Sequence, residues 1–147
     1  MTIGHDAVMD ALDTALSAAP VLFDGGVSRN RGRALPEAFT SAVNIRIIRS
    51  DPEGYAGVGA PIDWVTRVGF ECIAKVKAPS APDGGASAVL AAVHTRLTAS
   101  SSTFEQSGFE FDPAPTLQWD QDDSDERIGA VIAIYNVRHR TNSTTLS

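Results

Sequence analysis

The segment RIGAVIAIYNVRHR, residues 127–140, decides the fold because it reads as one long strand with apolar side chains on both faces. Successive side chains of a strand alternate between its two faces. The apolar residues of one face are Ile128, Ala130, Ile132 and Ile134, and those of the other are Val131, Ala133, Tyr135 and Val137. Helices of the same chain normally cover only one face of an antiparallel sheet. We therefore expect something else to cover the second face, and a neighbouring copy of the protein is one candidate.

The length and composition predict a single soluble domain spanning residues 1–147. The chain is 43% hydrophobic and 20% charged, which is typical of an ordinary globular protein. Its net charge of -6 disfavours a protein whose main role is to wrap nucleic acid, so any DNA contact is expected to be local and not primary. No apolar run reaches the roughly 18 residues of a membrane span. The lone Cys72 and the lack of a secretory signal favour the reducing cytoplasm and no membrane contact.

Two stretches have the apolar spacing of amphipathic helices. Residues 3–19 predict a first helix, which Pro20 ends because the residue before a proline is disfavoured in helical geometry. Residues 86–97 predict a second helix, with Asp83 as its N-terminal cap. The region between them contains the glycine-rich segment 21–40, which we expect to be a loop.

Three further stretches predict strands that accompany the closing strand. Residues 42–49 and 64–77 alternate between apolar and polar side chains, and the long loop 51–63 joins them. Ile48 interrupts the first alternation and indicates either a bulge or another covered face. Residues 116–119 predict the third strand. The expected fold is α+β, a mainly antiparallel four-stranded sheet with two helices packed on one face.

The residues that carry chemistry form no recognisable active site. Cys72 falls on the apolar side of its strand, so we expect a buried structural thiol. His5, His94 and His139 are far apart in the sequence, lack the spacing of metal ligands and are interpreted as surface or edge residues. There is no Gly-x-Ser-x-Gly motif. We therefore expect no enzyme activity, no metal and no cofactor.

Two charged clusters are candidates for contact with a partner. An acidic turn precedes the closing strand and includes Asp122, Asp123 and Asp125, but it lacks the spacing of a calcium loop. A basic, glycine-rich loop contains Arg29, Arg31 and Arg33. Each cluster is interpreted either as a solvated loop or as an electrostatic contact with a partner.

The layout of these elements resembles the tail terminator and minor tail protein family of tailed bacteriophages. The resemblance covers roughly residues 3–141. It is carried by VGFECIA at residues 68–74, by the alanine-rich helix GASAVLAAVHTRL at residues 85–97, and by a last strand that ends in the basic run VRHRT at residues 137–141. The match is one of pattern, because the family has no catalytic signature.

The resemblance implies a structural virion protein that assembles in the host cytoplasm. Six copies would form a homo-oligomeric ring that caps the tail tube protein and provides the docking face for the head-tail connector protein. Our hypothesis for the interface residues comprises the basic loop Arg29, Arg31 and Arg33, where the chain departs from the family, the strand residues Arg46, Arg67, Glu71 and Lys75, the acidic turn Asp122, Asp123 and Asp125, and Tyr135. Two alternatives stay open, a head-tail connector or tail completion protein, and a non-viral binding or scaffold domain.

Overall fold

Six strands and three helices make up the described part of the chain. The structure, a computed structural model, describes residues 3–29, 38–54, 57–76, 81–120 and 128–147. In chain order the elements are α1 (Gly4–Ser17), β1 (Val27–Arg29), β2 (Ser41–Pro52), β3 (Ile62–Lys75), α2 (Pro82–Ala99), α3 (Ser101–Gln106), β4 (Phe109–Phe111), β5 (Thr116–Asp120) and β6 (Ile128–Thr141).

All six strands belong to one mixed sheet. The strand order is β1-β2-β3-β6-β4, and β5 also pairs with β6. The β1–β2 pair is parallel, and the other described pairs are antiparallel. The two longest strands, β3 and β6, have 14 residues each and pair along their whole length. The closing strand is therefore central in the sheet, which agrees with its apolar side chains on both faces.

The α+β class is confirmed, but the predicted four strands and two helices are corrected to six strands and three helices. The missed elements are β1 and β4, of three residues each, and α3, of six residues. Such short pieces contain too few residues to display a period. The loop predicted at 51–63 is also shorter at both ends, because β2 continues to Pro52 and β3 begins at Ile62.

The helices cover one face of the sheet and form the main core with it. Val131, Ala133, Tyr135 and Val137 of β6 are all 0% exposed, so this is the helix-covered face of the closing strand. The helix residues in the same core are Val8, Met9, Leu12 and Leu16 of α1, Ala86, Val89, Val93 and Leu97 of α2, and Phe104 of α3. Burying a side chain of this size stabilises the fold by roughly 1.5–3 kcal/mol.

The expected structural role of the thiol is confirmed. Cys72 lies on the core side of β3 and is 0% exposed. Burial raises the pKa of Cys72 to about 12, and the nearby Glu71 carboxylate adds to that shift. The thiol therefore stays protonated and behaves as a small apolar side chain.

The start of α2 differs from the predicted cap. Ala81 occupies the cap position, and Pro82 begins the helix, where its missing N–H costs no hydrogen bond. Asp83 lies one residue inside, and its carboxylate accepts a hydrogen bond from the Gly84 N–H at 2.9 Å. It still favours the helix, because a negative charge in the first turn interacts well with the helix dipole.

Asp24 ties the two ends of the connection between α1 and β2 together. Its carboxylate accepts hydrogen bonds from the Thr40 and Ser41 N–H groups at 2.8 and 2.9 Å, and from the Thr40 hydroxyl at 2.7 Å. These bonds, with that from Ser41 as the largest contribution, lower the pKa of Asp24 to about 2. The carboxylate thus holds the first residues of β2 in place at any ordinary pH.

Gly129 sets how closely α2 approaches β6, and its replacement should destabilise the fold. A Cβ at Gly129 would lie 2.0 Å from the Pro82 carbonyl oxygen, which is backbone and cannot rotate away. We expect Gly129→Ala to lower the free energy of unfolding by about 2 kcal/mol or more, measured by urea denaturation. Gly84→Ala is the matched control, because a Cβ there meets nothing within 4 Å. It should raise stability by up to about 1 kcal/mol, since alanine is the better helix former. Equal stability of the two variants would contradict this account.

Candidate interaction surface

The sheet face opposite the helices, which we call the outer face, is formed by alternate residues of β2, β3 and β6. The register sets Arg46 opposite Gly69 and Gly69 opposite Ile134. The neighbouring row of the same face lies two residues further along each strand, with Asn44 opposite Glu71 and Glu71 opposite Ile132. The residues of the outer face considered below are Asn44, Arg46, Ile48, Arg67, Gly69, Glu71, Ile132 and Ile134.

A β-bulge places Ile48 on the outer face. The pairing register of β2 with β3 shifts between Ile47 and Arg49, which confirms the predicted bulge. A Cβ at Gly69 would lie 2.9 Å from the Ile48 Cδ1 atom, so the Ile48 side chain occupies the space that Gly69 leaves free. Ile48 is nevertheless 44% exposed. The bulge therefore adds an accessible apolar side chain to this face.

The described residues form a core at one end of this side of the sheet. Phe39, Ala42 and Ile73 form a second, small core there, with Ala130 packed against it. Further along β6, Ile132 and Ile134 remain partly exposed. The helix residues of the main core all lie on the opposite side. The centre of the outer face is therefore apolar and accessible in the described part of the chain.

Arginines flank this apolar centre. Arg46 of β2 and Arg67 of β3 are both exposed. Among the described residues, neither has an ion-pair partner. Charged groups without a partner keep their full attraction for an opposite charge on another molecule. These two arginines are positive groups that the outer face offers to a partner.

The far end of the same side is held by ion pairs within the chain. Arg140 of β6 binds the Asp63 carboxylate of β3 through two nitrogens, at 2.6 and 3.0 Å. Hydrogen bonding to Arg140 lowers the pKa of Asp63. Arg138 lies 3.8 Å from Glu53. All these groups are exposed, so the pairs fix side-chain positions more than they stabilise the fold.

The predicted interface residues divide into three groups. Arg46, Arg67, Glu71 and Lys75 lie on the outer side of the sheet. Arg29 lies elsewhere, at the β1 edge, where it forms an ion pair with Asp10 of α1. The remaining loop residues, Arg31, Arg33, Asp122, Asp123 and Asp125, lie outside the described residues.

The inclusion of Tyr135 among the interface residues is corrected by the structure. Its side chain is 0% exposed and lies on the helix-covered face of β6. The hydroxyl is 2.9 Å from the His94 Nδ1 atom, and the ring contacts Phe70 edge-on. Burial is the main reason why the pKa of Tyr135 is raised to about 12. Both faces of β6 are apolar in sequence, so periodicity alone did not distinguish the core face from the outer one.

The interpretation of His5 and His139 as surface or edge residues is also wrong. His139 is only 8% exposed, and His5 is half-buried. Their ring centroids lie 4.7 Å apart, although the residues are at opposite ends of the sequence. The alternation of β6 contained the missed signal, because His139 has the same parity as Val137 and therefore faces the core.

A hydrogen-bonded chain links the two imidazoles. His5 Nε2 is 2.8 Å from the Ser50 hydroxyl, the Ser50 and Thr66 hydroxyls are 2.6 Å apart, and Thr66 is 2.7 Å from His139 Nε2. Two hydroxyl protons serve only two of these contacts, so the remaining proton must come from one imidazole Nε2. The Nδ1 atoms of both rings are buried without a hydrogen-bond partner in the described structure. Burial lowers the pKa of both histidines, that of His139 to about 4.

An open cleft lies beside this histidine pair. It has a volume of about 520 Å³. The groups that line it are four acidic side chains, two arginines, an aromatic pair, His139 and a turn glycine, namely Glu53, Asp63, Glu105, Glu110, Arg138, Arg140, Trp64, Phe109, His139 and Gly108. Trp64 is anchored through its Nε1–H, which donates to the Thr141 hydroxyl at 2.8 Å. The carboxylates that line the cleft outnumber its arginines, so the cleft favours a positively charged group.

No family model matches the chain, and no curated protein matches it. Among the described residues, no three histidine, cysteine or acidic side chains are placed to bind a metal ion. None of the described helices is long and apolar enough to span a membrane.

The buried histidines should make the protein less stable in mild acid. Both pKa values are lower in the folded state, so the unfolded chain takes up more protons as the pH falls below about 6.5. The stability that the two neutral histidines contribute is complete at neutral pH, and it is lost progressively as the pH falls toward 4. We expect the free energy of unfolding to fall by about 2 kcal/mol between pH 7 and 4.5, measured by urea denaturation. His139→Gln should show a smaller loss, and an unchanged loss would exclude His139 as its source.

Proposed function

We propose that this protein is a ring-forming tail terminator of a tailed bacteriophage, which caps the tail tube and provides the docking face for the head. The observation that carries the proposal is the outer face of β6. This central strand has partly exposed Ile132 and Ile134 on the side that the described helices leave uncovered. A repeated contact between copies would bury that face, as the family resemblance implies. The proposed partners are further copies in a hexamer, the tail tube protein and the head-tail connector protein.

The chemistry of the chain favours assembly over catalysis. The Cys72 thiol is buried and has a pKa of about 12, so it is not a reactive thiolate at neutral pH. His5 and His139 are engaged in a buried hydrogen-bonded chain with two hydroxyls. His94 is bonded to a core tyrosine. These groups are arranged as parts of the fold, and none of them combines a nucleophile with a base at an open site.

A binding domain is the second candidate function, and the cleft beside Trp64 favours it. That cleft of about 520 Å³ is large enough for a side chain or a small ligand. It is open and strongly charged, whereas small-molecule sites are mostly apolar and enclosed. These properties suit a protein partner better than a small ligand, so the cleft is also compatible with a role in assembly.

Electron microscopy of the protein mixed with tail tubes from the same phage genome tests the function directly. We expect rings at one end of each tube and a uniform limit to tube length. Six copies of 15.5 kDa give a ring of about 93 kDa, which light scattering also detects. Tubes with bare ends at saturating protein would contradict a terminator. Binding to isolated head connectors without tube ends would instead favour a head-tail connector or tail completion protein.

Substitutions on the two faces of β6 should separate folding from assembly. Ile132→Lys adds a charge to the outer face opposite Glu71, so stability should change by less than about 1 kcal/mol. The ring should then be lost, as measured by light scattering, while the circular dichroism spectrum is retained. Val131→Lys is the matched control on the core face, where Val131 is 0% exposed. It should unfold the chain, because burying an unpaired charge costs several kcal/mol. A fully assembled Ile132→Lys protein would exclude the outer face from the ring contact.

A further inference from the structure

Two exposed arginines lie on the outer face of the sheet, and two exposed carboxylates lie at its β4 edge. Arg46 and Arg67 lie on β2 and β3, toward one edge. Glu110 lies on β4 at the opposite edge, and Glu105 lies on α3, which packs against β4. All four side chains are exposed. The described part of the protein therefore presents these two arginines on its outer face and these two carboxylates at the β4 edge, with β6 between them.

These opposite charges do not neutralise one another within one copy. Neighbouring strands are about 4.8 Å apart, so β4 lies roughly 10 Å from β3 and 14 Å from β2, beyond the reach of a direct ion pair. The register brings Glu110 opposite Arg138, but Arg138 pairs with Glu53. In the described residues, Glu105 and Glu110 have no ion-pair partner. The outer face thus presents positive charges, and the β4 edge presents negative charges, that the other surface of a second copy would complement.

We propose that neighbouring copies associate head to tail, with Glu105 and Glu110 of one copy on Arg46 and Arg67 of the next. This inference rests on the proposed ring and specifies its contact. The apolar side chains Ile48, Ile132 and Ile134 lie among the arginines and form the centre of the contact. When two copies associate through two different surfaces, one surface of each copy remains free to bind a further copy. Repeating this contact closes a ring if the rotation from one copy to the next divides a full turn. Exposed ion pairs provide register and specificity, while apolar burial provides most of the affinity.

A charge exchange between two variants tests this arrangement. In the first variant, Glu105→Lys and Glu110→Lys make the edge basic; in the second, Arg46→Glu and Arg67→Glu make the face acidic. Each variant alone places like charges together at every contact. We expect each to raise the protein concentration needed for assembly at least tenfold. A one-to-one mixture should assemble like the wild type, because each edge then meets a face of opposite charge. Sedimentation of each sample, with circular dichroism to check folding, gives the comparison.

Controls separate this contact from general charge effects. Asp6→Lys reverses one charge on α1, which packs on the opposite side of the sheet from Arg46 and Arg67, and should assemble normally. The wild-type assembly should also weaken as salt rises from 0.05 to 0.5 M. Over this range the salt increasingly screens the attraction between exposed charges about 10 Å apart. Variants that each assemble normally, or a mixture that fails while both proteins are folded, would overturn the proposed contact. If the charge variants assemble normally and wild-type rings are found on tube ends, the proposed contact is wrong but the terminator function stands. If the tube ends are bare and the wild type is monomeric, the proposed function itself is wrong.

Discussion

The antiparallel pairing of β3 with β6 is the interaction on which the rest of the structure depends. It joins 14 residues of each strand in one unbroken register, from Ile62 opposite Thr141 to Lys75 opposite Ile128. A shift by one residue would turn every side chain of β6 to the other face. It would remove Tyr135 from the core and the histidine pair from its hydrogen-bonded chain. The same register creates both surfaces of the sheet, so the core and the outer face cannot change independently.

Strand parity could be predicted from the sequence, whereas the choice of core face could not. The alternation along residues 64–77 correctly separated the buried side, with Phe70 and Cys72, from the outer side, with Arg67. In β6 both sides are apolar, and only the docking of α2 on one of them decides which is buried. Gly129 contains that information, because the close approach of Pro82 requires a residue without a side chain. This requirement becomes visible only once the helix is in place.

The candidate surface was predictable in part for the same physical reason. Arg46, Arg67 and Glu71 alternate with apolar residues, so their common face follows from the period of a strand. The carboxylates at the β4 edge were missed because β4 and α3 are too short to display a period. The contact of His5 with His139 was also missed, because it joins residues from the first helix and the last strand. Contacts of such long range depend on the whole topology and leave no local pattern.

The Asp24 carboxylate has a consequence for how this protein can diverge. By binding the Thr40 and Ser41 N–H groups, it closes the connection between α1 and β2 at its base, next to the first pairs of β2 with β3. Residues added between β1 and Phe39 would lengthen only the segment that this closure spans, at a small entropic cost, about 0.6 kcal/mol for each doubling. The pairing of β2 with β3 therefore tolerates such insertions without a change in register, and one exposed carboxylate marks where that tolerance begins.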